Sequence, residues 1–267
     1  MFNKIIDSLL EYKNKNLVQV KTLYKKDNTK FIVSFPKSGN TWIRAILANL
    51  YFDDIDFISL RNIIPGINNV DNVNPSKTGI YTTHYSFFPA SGKVLYVVRD
   101  PRSVAVSYFY YQKKYKRIDD NMSFESFFYN EFLSNKYDMF GTWYQNVASW
   151  IFGYKKNDNF KLIKYEDMLE NEYETTKGIL KFYELDFDDK IVLNALKKSS
   201  FDNLKKTEQK QKNEVKKWKE GNNTIDFFRS GKQHEWKEYF TKEMEDVIFE
   251  KFGDLCLKLD YKKELNG

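Results

Sequence analysis

The polar turn Pro36-Lys37-Ser38-Gly39-Asn40-Thr41 lies inside the segment FIVSFPKSGNTWIRAIL, residues 31–47. A β-favouring run precedes it and an apolar helical pattern follows. Backbone N–H groups at a helix start point outward without intrahelical partners, and the helix dipole adds partial positive charge. Gly39 permits close backbone approach. Lys37 brings a full charge, and Ser38, Asn40 and Thr41 bring side-chain donors. The dipole alone contributes only about 0.3–1 kcal/mol, so these groups must act together on a phosphate or sulfate. The pattern is not the triphosphate loop GxxxxGK[ST], because Lys37 precedes Gly39 and no glycine stands before it. At this level an ordinary strand–turn–helix remains open.

Two further sites for chemistry follow apolar strands. His84 ends the run Ile80-Tyr81-Thr82-Thr83-His84, and a histidine is the side chain best matched to proton transfer near neutral pH. The other histidine is His234. Arg99-Asp100 follows Lys93-Val94-Leu95-Tyr96-Val97-Val98. A planar guanidinium grips a phosphate by its fork, although an arginine there equally suits a structural ion pair. Asp100 could imitate a metal-holding carboxylate, which keeps a small-molecule kinase with an atypical loop as an alternative. A non-enzymatic module binding RNA or another polyanion is the third reading.

Longer matches narrow the choice. FPKSGNTW, residues 35–42, resembles the 5′-phosphosulfate loop of the cytosolic sulfotransferases, YPKSGTTW. The resemblance implies that Lys37, Ser38, Gly39, Asn40 and Thr41 hold the 5′-phosphosulfate of 3′-phosphoadenosine-5′-phosphosulfate (PAPS). It implies that Lys37 neutralises the bridging oxygen and that Trp42 stacks near the adenine. YVVRDPRSVAVSY, residues 96–108, is similar to the family's YxxRNPxDVAVSY, which implies 3′-phosphate contacts from Arg99 and Ser107. Asp100 and Ser103 depart from that pattern. FFRSGKQHEWK, residues 227–237, is similar to FxRKGxxGDWK and implies that Arg229, Ser230 and Gly231 close over the 3′-phosphate. Ser230 stands for a lysine, with Lys232 as a substitute charge, and His234 stands for the second glycine. Tyr165-Glu166-Asp167 resembles the family's YED and Ser199-Ser200-Phe201 its TSF, which implies that Tyr165, Ser199 and Phe201 surround the adenine. Thr83-His84 matches the last two residues of KTH, which implies that His84 is the general base. Thr82 replaces the lysine of that motif, so Lys37 carries more of the charge stabilisation. The family's dimer segment survives only as Lys237, Thr241-Lys242 and Asp246, which leaves a weak homodimer open.

The elements that must position these residues alternate. Strands are expected at 30–35, 79–83, 93–98 and 160–164. Helices are expected at 42–52, 101–114, 123–133, 142–153, 173–184 and 240–258. Such alternation predicts an α/β three-layer sandwich: a central parallel sheet flanked by helices, of the kind found in P-loop nucleotide kinases, with ligands at the carboxyl ends of its strands. The densely charged stretch 205–219 reads as a solvated helix or loop, or as part of a mobile basic lid over about 205–232. Ile5, Leu9, Leu10 and Tyr12 suit a short amphipathic helix.

Composition sets the outer bounds. The 267 residues are 42% hydrophobic, and no linker divides them, so one domain over 1–267 is expected. A net charge of +6 fits an anionic small ligand and argues only weakly for nucleic acid, so no nucleic-acid partner is expected. One cysteine, Cys256, and two histidines leave too few soft ligands for structural zinc; no metal is expected. There is no signal-peptide core and no membrane span, so a cytoplasmic place is expected. The resulting expectation is sulfuryl transfer from PAPS to a hydroxyl or amine of a small-molecule acceptor, leaving adenosine 3′,5′-bisphosphate.

Overall fold

Four short runs of β-branched and aromatic residues form the strands: β1 (Lys30–Ser34), β2 (Ile80–Thr83), β3 (Lys93–Val98) and β4 (Phe160–Lys164). All pair in parallel, in the order β2-β1-β3-β4. The computed structural model describes residues 28–53, 55–67, 76–134, 139–154, 158–214 and 221–265. The proposed amphipathic helix near Ile5 lies outside these residues.

Side-chain alternation divides the core into two layers. Phe31 and Val33 of β1, with Val94, Tyr96 and Val98 of β3, face one cluster. That cluster is covered by α3 (Pro101–Lys114), α5 (Trp143–Gly153) and α10 (Lys242–Lys258). Ile32, Leu95 and Val97 face the other. It is covered by α1 (Asn40–Asn49), α2 (Phe57–Ile63), α7 (Glu172–Tyr183) and α8 (Asp189–Lys198). The three-layer α/β sandwich follows directly from two apolar faces on every central strand.

Register fixes the functional rim. Ser34 stands beside Val97, Val33 beside Thr83, and Val98 beside Lys164. The next residues along each strand therefore leave the sheet on the same side: the turn from Phe35, His84, Arg99 and Tyr165.

β3, β4 and α3 fall on the expected residues at both ends, and nearly all other boundaries lie within two residues of expectation. β1 stops at Ser34 rather than Phe35, and α1 starts at Asn40 rather than Trp42 because Gly39 begins it. The stretch expected as one helix over 123–133 instead divides. A short α4 (Phe124–Phe127) passes into one π-helical turn, Phe128–Phe132. The wider turn keeps Phe127, Phe128 and Phe132 all buried, with Phe128 edge-on to Phe240 at 5.2 Å. A short α6 (Tyr165–Glu170) follows β4. Within the basic stretch, α9 (Phe201–Gln211) is only half solvated, since Leu204, Glu208 and Gln211 are buried. In the segment matched to the family's dimer motif, Lys237 pairs with Glu264 at 2.7 Å and Lys242 with Asp246 at 2.8 Å. Among the described residues no helix is long and apolar enough to cross a membrane.

Candidate active site

The turn after β1 is held in a demanding backbone shape. Lys37 has φ 68° and Gly39 φ 101°, both in the left-handed region. A Cβ on Gly39 would lie 2.5 Å from the Tyr165 ring, so only glycine fits there. No side chain caps α1 and no acid stands in its first turn, which leaves its positive end available to an anion. Ser38 is fully buried and its Oγ makes no hydrogen bond within the protein. The Asn40 side chain turns inward, with Nδ2 donating to Ser34 Oγ at 3.4 Å and Oδ1 accepting from Thr82 Oγ1 at 2.5 Å. Thr82, which stands where the family motif has a lysine, is thus tied to the loop itself.

His84 follows β2 at the same rim. Its Nδ1 lies 2.8 Å from the Ser34 carbonyl. A carbonyl only accepts, so Nδ1 carries the hydrogen, and the neutral ring keeps its lone pair on Nε2. The backbone around it is fixed from the core. Asn146 Nδ2 donates to the carbonyls of His84 at 2.9 Å and Phe140 at 3.0 Å, while Tyr96 Oη donates to Asn146 Oδ1 at 2.7 Å. Phe140 packs edge-on against the imidazole at 5.6 Å.

Arg99 follows β3. Its Nη1 donates to the Lys37 carbonyl at 3.2 Å, its guanidinium lies 4.3 Å from the Tyr165 ring centroid, and its buried Nε makes no hydrogen bond within the protein. Trp143 Nε1 donates to the Arg99 carbonyl at 3.1 Å, which anchors the turn to α5. Asp100 belongs to a different system. It caps α3 by accepting from Arg102 N–H at 2.8 Å and pairs with Arg102 Nη2 at 2.6 Å. Its oxygens are thereby committed to structure, in contrast to the metal-holding role that the kinase alternative gives it. Ser103, the other departure, donates to the Gln233 carbonyl at 3.2 Å.

The C-terminal turn lies across this wall. Arg229 forms a bidentate pair with Glu235 and lies 4.2 Å from the Tyr110 ring centroid. Gly231 has φ 69°, and a Cβ there would lie 2.8 Å from the Phe201 ring. His234, in place of the family's second glycine, has φ −109°, a conformation open to any residue.

These groups border one cleft of about 400 Å³. Lys37, Gly39, Asn40, Thr41, Trp42, His84, Arg99, Ser107, Tyr165, Phe201, Arg229, Ser230 and Gly231 all line it. Ser38 and Ser199 do not. Ser199 is buried behind it, where its Oγ accepts from Asn49 Nδ2 at 3.0 Å. Among the described residues, Lys37, Arg44, Arg61, Arg99, Arg229 and Lys232 line the cleft together with one carboxylate, Glu235. Trp42 and Tyr165 meet at 5.6 Å on one side, and Phe201 and Phe228 at 6.4 Å on another. A cationic lining that includes Arg99, with aromatic walls, suits an anionic nucleotide. Among the described residues no group of three or more His, Cys, Asp or Glu side chains is placed to hold a metal ion.

Burial shapes the charges. The Lys37 ammonium sits 3.9 Å from the Phe227 ring centroid and 5.0 Å from that of Tyr111. Loss of water, then the charge of Arg99, push its pKa down to about 7, with Arg229 and Lys114 adding to the drop and Glu208 opposing it. Sequence reasoning missed Arg44 and Arg61. Arg44 donates only a long 3.4 Å bond to the Leu60 carbonyl, and its buried Nε makes none. Burial, then the charge of Arg61, push Arg44 down to about 9. The available signal was a charge inside the otherwise apolar WIRAIL helix.

The fold and cleft define an α/β protein with a cationic, aromatic-walled cleft at the carboxyl rim of a parallel sheet. The chain belongs to the sulfotransferase family: the model of the sulfotransferase domain matches residues 27–259. It is 30% identical to sulfotransferase 1 family member D1 of Mus musculus, over 90% of this chain and 88% of that protein. It is 27% identical to the amine sulfotransferase of Oryctolagus cuniculus, over 97% and 96%. Its fold is similar to that of mouse sulfotransferase SULT7A1 complexed with PAP, with a TM-score of 0.69 and 22% identity over 92% of this chain and 94% of that one. A retinol dehydratase in complex with retinol and PAP gives a TM-score of 0.72 with 17% identity, over 94% and 88%.

Proposed function

We propose that this sulfotransferase moves the sulfuryl group of PAPS to a hydroxyl or amine of a small-molecule acceptor, with His84 as general base, and that it works in the cytoplasm. The bound donor supplies the sulfuryl group and departs as adenosine 3′,5′-bisphosphate. Lys37, Ser38, Gly39, Asn40 and Thr41 hold the 5′-phosphosulfate, the Asn40 and Ser38 contribution coming chiefly through the backbone of the turn. Arg99, Ser107, Arg229, Ser230 and Gly231 hold the 3′-phosphate. Trp42, Phe201 and Tyr165 border the adenine, with Ser199 supporting them from behind.

The observation that carries this reading is the meeting of three rim segments, after β1, β2 and β3, on one cationic cleft. His84 holds its hydrogen on Nδ1 against Ser34, so Nε2 receives the acceptor's proton as the new S–O or S–N bond forms. Lys37 holds positive charge beside the oxygen that leaves sulfur, and Arg99 fixes the carbonyl of Lys37. In-line transfer of this kind depends on position and charge more than on covalent help from the protein.

An acceptor screen with PAPS, read as bisphosphate release, identifies a substrate. With it, His84→Ala lowers kcat by about 10²–10⁴-fold while bisphosphate binding stays near wild type. Full turnover in that variant refutes the assignment of the base.

A further inference from the structure

Glu208 is a fully buried acid on α9 that does not line the cleft. Its oxygens accept the backbone N–H groups of Phe227 at 2.6 Å and Phe228 at 2.9 Å. The buried Lys114 ammonium of α3 stands 3.4 Å from it and donates to the Ile225 carbonyl. The Lys114 carbonyl in turn accepts from Asn222 N–H at 2.6 Å. Residues 222–228 are thus fastened to α3 and α9 at four backbone points. Buried ion pairs contribute little net stability compared with apolar side chains of similar volume, so their value lies in what they orient. Here they orient Phe227, whose ring lies 3.9 Å from the Lys37 ammonium. A desolvated cation over a ring face is attracted by the negative face of the ring.

We propose that Glu208 is a positioning residue for sulfuryl transfer: braced by Lys114, it fixes Phe227 against Lys37 and keeps that ammonium in place at the donor loop. This rests on the reading of Lys37 as a ligand of the phosphosulfate. The charges around Lys37 agree with it. Arg99 approaches from the β3 rim, Lys114, Tyr110 and Tyr111 from α3, Glu208 from α9, and Asp226 and Arg229, itself paired with Glu235, from the C-terminal turn. Burial and the cations lower the Lys37 pKa to about 7, and Glu208 raises it.

The sign follows. Lys37 is charged below its pKa, and an anion bound beside it raises that pKa. Affinity for adenosine 3′,5′-bisphosphate is therefore full below about pH 7 and declines as pH rises through the free-state value. Glu208→Gln keeps an amide oxygen to accept from the turn and so retains Phe227, but it removes the supporting negative charge, so the decline begins at lower pH. Phe227→Ala admits water to the ammonium, so the decline begins at higher pH. The test is calorimetric bisphosphate binding from pH 6 to pH 9 for both variants, wild type and Lys37→Met. With each affinity taken relative to the same protein's value at pH 6, the value at pH 8 is expected to be about threefold to tenfold below wild type for Glu208→Gln and above wild type for Phe227→Ala. Opposite shifts are a result that simple loosening of the turn does not give.

A wild-type decline that persists in Lys37→Met removes the role of Lys37 itself. If that decline disappears in Lys37→Met yet keeps its wild-type position in Glu208→Gln and Phe227→Ala, only the role of Glu208 is overturned. If Glu208→Gln does not fold, Phe227→Ala decides alone, and an unmoved decline overturns the proposal.

Discussion

Arg102 is fully buried and Arg44 is half-buried at the cleft wall, and the protein treats them in opposite ways. Arg102 forks onto Asp100, pairs with buried Glu245, donates to the Lys262 carbonyl at 2.9 Å and lies 3.8 Å from the Trp236 ring centroid. Burial works against its charge, yet bonds to Asp100 and Glu245 hold its pKa above the ordinary value. Glu245 then accepts the N–H groups of Glu264 and Leu265, so this system ties α3, α10 and the final residues together. Arg44 has a second arginine for a neighbour and a single long bond to a carbonyl. Arg99, assigned to the 3′-phosphate, resembles Arg44: an unbonded buried Nε, one carbonyl partner and a cationic neighbour. Arg102 brings its own acids, whereas Arg44 and Arg99 have no hydrogen-bonded carboxylate among the described residues and are left for an anion from outside.

The contrast breaks first at Arg102. Arg102→Met leaves Asp100 and Glu245 buried without their partner, and we expect a loss of about 3–5 kcal/mol in denaturant unfolding. A loss below 1 kcal/mol would remove the distinction. Arg44→Met is expected to change unfolding by less than about 1 kcal/mol, because no acid is orphaned by it. The same substitution weakens calorimetric binding of adenosine 3′,5′-bisphosphate about tenfold, the worth of one charge-assisted contact. The smallest effect is that of salt. Raising NaCl from 0.1 to 0.5 M lowers bisphosphate affinity by a few fold but leaves the unfolding midpoint within a few degrees, since the buried Arg102 system is screened little. Arg44→Met flattens the salt dependence of binding and not that of unfolding.

The parts legible in the sequence were those whose physics is local. Alternating apolar faces in KVLYVV and FIVSF identify central parallel strands, and the turn, His84 and Arg99 follow from the ends of those strands. Pro101 marks a helix start that the structure completes with the Asp100 cap. What escaped depends on distant contacts. The WIRAIL pattern reads as buried helix, and nothing local says that Arg44 meets Arg61 of α2 rather than a carboxylate. Glu208 sits in a stretch so charged that its burial cannot be told from composition; only the packing of α9 on α2 and α8, with the ion pair to Lys114 of α3, selects it. Ser199 matches a family echo, yet its hydroxyl turns to Asn49 because that helix end is packed away from the cleft. The π-helical turn at Phe128 accompanies the packing of four phenylalanines, Phe124, Phe128, Phe132 and Phe240, which single-helix periodicity does not encode.

Lys37 holds a backbone conformation, φ 68°, that costs a side-chain-bearing residue about 1–2 kcal/mol and glycine almost nothing. Selection for heat tolerance and selection for turnover therefore pull in opposite directions at this one codon. A library screened only for survival on heating exerts no pressure to keep the Lys37 charge and can return a folded protein that has lost it. Any engineering of this chain needs a catalytic readout beside the thermal one, with residue 37 as the sentinel.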